Sequence, residues 1–85
     1  MTNDAPTPAT LAEWLDSLAG QLPAGTPGAS AAEQAAILEL ARVAAHASER
    51  IAAPISAYVA GIALAGRSPL ERAAALRQLV AALEG

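Results

Sequence analysis

Cysteine, phenylalanine and lysine are all missing from this 85-residue chain, and each absence excludes something. Without cysteine there are no disulfides, no thiolate nucleophile and no sulfur-based metal site. Without phenylalanine, and with one Trp and one Tyr, an apolar core has to come from eleven Leu, four Ile, three Val and a large excess of Ala. Without lysine, five Arg are the only strong cations against eight acidic residues, and the net charge of −3 has the wrong sign for a row of phosphates. Nucleic acid is therefore not an expected partner. Strand-type alternation of β-branched and aromatic residues is lacking too, whereas Ala favours helix and lets backbones approach closely.

What is present reads as one all-α domain over residues 1–85. Its expected form is a compact four-helix bundle, with a flexible tail over 1–9 and a flexible connector over 22–29. Three helix starts follow the capping-box pattern: Thr10 with Glu13, Ser30 with Glu33, and Ser68 with Glu71. Pro69 falls on the favoured first helical position of the last one. The first helix is expected over about Leu11 to Gln21, with Leu11, Trp14, Leu15, Leu18 and Leu22 on one stripe and Trp14 in the core.

The second helix is expected to run to about Ala52, because the residue before Pro54 is pushed from helical geometry. The third, about Pro54 to Ala65, is apolar all round, which predicts a central position with Tyr58 packed among its neighbours. Gly66 is expected to close it and the fourth to run to about Leu83. The uncharged stretch Ile51–Gly66 is shorter than the roughly 20 residues of a membrane span and contains Pro54, so a buried helix rather than a membrane helix is expected. The first ten residues carry no basic residue or apolar run, so a cytoplasmic protein is expected.

Catalytic chemistry does not assemble. One His, no Cys and no glycine-flanked serine elbow leave no nucleophile-and-base set, so an enzyme is not expected. His46 has only Glu49 at helical spacing as a nearby carboxylate, too little for a metal shell, and no cofactor is expected either. The one polar constellation is Arg42, His46 and Arg50, four residues apart and so on one ridge of a regular helix. Two readings stay open: a solvated face answered by Glu39 and Glu49, or a ligand- or partner-binding site for an anionic group, with Tyr58 near its end.

From Ala36 to Gly61, through Ala44-Ala45-His46, Arg50 and Ala52-Ala53-Pro54, the chain resembles an uncharacterised actinobacterial helical family, a domain of unknown function. That family occurs alone or at the C-terminus of molybdenum-cofactor guanylyltransferases. Leu11-Ala-Glu-Trp14-Leu is similar as well. The chain carries Ile51 where the resembling pattern has proline, which implies a less sharp end to helix two. The resemblance implies an accessory role in molybdenum-cofactor maturation or delivery, with a maturation factor for that cofactor or for formate dehydrogenase as protein partner. A non-catalytic helical interaction module is thus the expected function, and a small anionic-ligand (nucleotide cofactor) binder the alternative. Weak homo-oligomerisation is expected, since so small a domain gains from burying more apolar surface.

Overall fold

Three hydroxyl–glutamate pairs start three helices as their spacing predicts. In the computed structural model, which describes residues 7–84, each pair is reciprocal. The Glu13 amide donates to Thr10 Oγ1 and the Thr10 amide to Glu13 Oε1; Ser30 with Glu33 and Ser68 with Glu71 repeat the pattern. Each box satisfies two amides that a helix start would leave bare. The tail expected over 1–9 lies outside the described residues except for 7–9.

The helices are α1 (Leu11–Gly20), α2 (Ala31–Ala47), α3 (Ala52–Leu64) and α4 (Pro69–Glu84), with no strand among the described residues. The all-α four-helix fold is as expected. Gly66 sits at φ +88, the left-handed conformation that ends α3, and the Arg67 amide donates to the Leu64 carbonyl. In the connector, Gly25 at φ +86 makes a turn closed by the Thr26 amide and hydroxyl, both donating to the Pro23 carbonyl.

Two expectations are corrected. Helix two stops at Ala47, not near Ala52, because Ser48 leaves helical geometry (φ −135, ψ −105). The chain reverses through Glu49–Ile51, with the Ala52 and Ala53 amides donating to the Glu49 and Arg50 carbonyls. Pro54 then falls third in α3, where a missing N–H costs nothing because first-turn amides have no partner within the helix. It marks the start of α3 rather than the end of α2.

The centre of the bundle is α2, not α3. Helix α2 packs on both α3 and α4, α3 meets α4 over a short stretch, and α1 packs closely against none of them. Leu40 is the most deeply buried large side chain, with Ala36 and Val43 beside it on α2, Ala60 from α3, and Leu76 and Val80 from α4. Hydrophobic residues all round α3 predict a central helix only if neighbours cover every side. Here α3 has α2 and α4 on one side alone, and Ile55, Val59 and Ile62 lie exposed.

One ion pair locks this arrangement. The buried Glu33 carboxylate caps α2 and also accepts from Nε and Nη2 of Arg72, whose Nη1 donates to the Arg67 carbonyl in the α3–α4 turn. The Arg72 hydrogen bonds foremost, then those from Ser30, draw the Glu33 carboxyl from 4.5 down to about 2, against the opposing effect of burial. A carboxyl lowered on folding contributes stability that is complete above the unfolded value and lost as pH falls through the folded one. Urea unfolding at a series of pH values should therefore show stability declining between about 4.5 and 2. Glu33→Gln keeps a capping-competent side chain but loses the charge, and should cost on the order of 2 kcal/mol at neutral pH while flattening that decline. An unchanged acid limb in Glu33→Gln would place the pH dependence elsewhere.

Candidate functional site

The ridge of Arg42, His46 and Arg50 requires an unbroken helix through residue 50, and the break at Ser48 removes it. Arg42 and His46 remain on α2, while Arg50 lies in the turn beyond. Arg42 is already engaged: its Nη2 reaches Glu39 Oε2 at 3.0 Å and Glu84 Oε2 at 2.8 Å, pinning the end of α4 to α2. These carboxylates, Glu39 foremost, raise the already high pKa of Arg42, and Arg42 in turn lowers the Glu39 carboxyl. Glu39 answers the row as the solvated reading expects, and Glu84 joins it from a distant part of the chain.

His46 occupies the last turn of α2 and is exposed, as are Arg50 and Tyr58. Tyr58 lies on α3, 72% exposed, on a face with Ile51, Ile55 and Ile62 rather than in a core. No group of three or more His, Asp or Glu side chains is placed to hold a metal ion among the described residues.

A different feature, a cleft walled by the leucine stripe that the spacing of α1 predicts, stands at the other end of α2. Helix α1 contributes no buried residue: Leu11, Leu15, Leu18 and Leu22 point along one stripe yet stay 37–61% exposed. The reason lies in the turn-rich connector, which sets α1 off from the three-helix body instead of packing it down. Between them lies an open cleft of about 710 Å³, walled by those four leucines, the connector, and Gln34, Ile37 and Leu38 of α2. Asp16, Thr26 and Gln34 are the polar groups on its lining. Gln34 is tied down, its Nε2 donating to the Ala29 carbonyl at 3.0 Å.

Beyond the strap formed by Pro27–Ala29 lies a second cleft of about 520 Å³, bordered by Ala57, Gly61, Leu64 and the Glu33–Arg72 pair. Ile37 and the strap line both clefts. Trp14, expected in the core, is 60% exposed on the flank of the α1 stripe and lines neither. A wall of aliphatic side chains with few polar groups offers contact area to an apolar guest.

A family described as a domain of unknown function, DUF6457, matches residues 6–85, nearly the whole chain. The chain belongs to DUF6457. The resemblance read along Ala36–Gly61 to a helical domain of unknown function agrees with that membership. No curated protein and no solved structure matches this DUF6457 chain. No helix among the described residues of the DUF6457 domain is long and apolar enough to cross a membrane.

The exposure of the ridge residues generates a direct expectation. His46→Ala and Arg50→Ala should each change unfolding free energy by no more than roughly 0.5 kcal/mol, since neither side chain is buried. Chemical denaturation of the two variants checks this, and a loss several times larger would mean that the turn after α2 depends on them.

Proposed function

We propose that the chain is a non-catalytic docking module whose α1–α2 cleft receives an apolar segment of a partner protein. The observation that carries this reading is the open leucine stripe of α1. A 10-residue helix is too short to be stable by itself in water, so an amphipathic one whose leucine stripe stays partly exposed has apolar surface left for a guest. A cleft of about 710 Å³ with an aliphatic wall is the size and character of a site for a few apolar side chains, such as those on one face of a helix.

The alternative, a binder of a small anionic ligand on Arg42, His46 and Arg50, has less to support it. Two carboxylates occupy Arg42 and the helix break separates Arg50. The partners to test first are maturation factors for the molybdenum cofactor or for formate dehydrogenase, in the cytoplasm. That choice rests on the resemblance along Ala36–Gly61 and on nothing in the fold.

Leu18→Asp sets a charge in the cleft wall at a half-exposed position and should leave helicity and stability nearly unchanged, within about 1 kcal/mol. Binding of a purified maturation factor, followed by the fluorescence of the single Trp14 or by calorimetry, should weaken at least tenfold in Leu18→Asp and not in Arg50→Ala. The opposite pattern would favour the anion site.

A further inference from the structure

Helix α3 is built with its small residues inward and its large ones outward. Ala53, Ala57 and Ala60, with Leu64, face α2 and α4, while Ile51, Ile55, Tyr58, Val59 and Ile62 lie within an arc of roughly 100° on the other side. All five are 57–72% exposed. A surface helix that served only this monomer would carry the reverse arrangement, apolar bulk inward and polar groups out.

No charged residue occurs between Arg50 and Arg67, so the face is electrically neutral in a chain that carries −3. Neutrality fits one kind of occupant well. Two copies meeting through this face bring no like charges into contact there, whereas a partner recognised by charge would find none to pair with. At roughly 100 Å² for each large aliphatic or aromatic side chain, the five expose on the order of 500 Å². That lies at the upper end of the largest apolar patch on a typical monomer and somewhat below the roughly 800 Å² per partner of a stable interface.

We propose that this face of α3 is the contact between two copies of the chain, joined about a two-fold axis. Self-contact through one face is isologous, so an antiparallel pair of α3 helices sets Ile51 of one copy near Ile62 of the other, with Ile55, Tyr58 and Val59 about the axis. An area below that of a stable interface makes the dimer a reversible, concentration-dependent one. The proposal is independent of the α1–α2 cleft, which lies on other helices and stays open in each copy.

Sedimentation of the full chain over a hundredfold range of concentration should show monomer passing to dimer. Ile55→Glu with Ile62→Glu should remain monomeric at concentrations at least tenfold above the wild-type midpoint, with unchanged helical circular dichroism because both side chains are already exposed in the monomer. Leu18→Asp should dimerise like wild type. The natural chain has no cysteine, so Tyr58→Cys offers a second readout that needs no charge in the face: a short bis-maleimide should link it into dimers, and should not link Leu22→Cys. A wild type that stays monomeric throughout would overturn the proposal. So would dimers abolished by Leu18→Asp and kept by the α3 pair, or cross-linking through position 22 and not 58.

Discussion

The ion pair between Glu33 and Arg72 holds three parts of the chain in one place. Glu33 closes the cap of α2, its second partner Arg72 belongs to the first turn of α4, and Arg72 also binds the carbonyl of Arg67 in the turn between α3 and α4. Because both side chains are largely withdrawn from solvent, neither can lose its partner without leaving a buried charge, which is more costly than the pair is favourable. The pair therefore acts as a register pin. It fixes where α4 lies along α2, and with that it sets Leu76 and Val80 against Ala36, Leu40 and Val43.

Around this pin the core is narrow. Alanine at the contacts lets α2, α3 and α4 approach, but each buried alanine removes little apolar area from water. Many of the larger side chains lie outside that core: the leucines of α1 over an open cleft and the isoleucines of α3 on a bare face. Both exposures follow from one choice in composition. The two exposed faces lie on different helices, α1 and α3.

Local signals are legible in this sequence and distant ones are not. Capping boxes at Thr10, Ser30 and Ser68 act over three residues, and all three form; Gly66 ends α3 as its place before Arg67 and Ser68 suggests. Glu33 was legible as a cap but not as the partner of Arg72, 39 positions away, because nothing local distinguishes it from Glu13 or Glu71. Pro54 looks like the stop of α2 in the sequence but starts α3, and the break at Ser48 takes Arg50 off the ridge. Apolar periodicity predicts a core position for Trp14 and Tyr58, and both lie exposed. Periodicity shows which face is apolar, and what covers that face is decided by the number of neighbours, which spacing does not reveal.

The chain divides into a body, α2 to α4, pinned by Glu33 and Arg72, and an arm, α1, whose exposed leucine stripe is the proposed docking surface. Native-state hydrogen exchange followed residue by residue on the isolated chain tests that division most directly. The slowest amides should lie in the middle of α2 and α4 around Leu40 and Leu76, while those of Leu15 and Leu18 in α1 should exchange orders of magnitude faster and gain protection when a partner segment binds. Protection of α1 equal to that of α2 in the isolated chain would contradict it, because α1 would then be part of the body and its leucine stripe already satisfied.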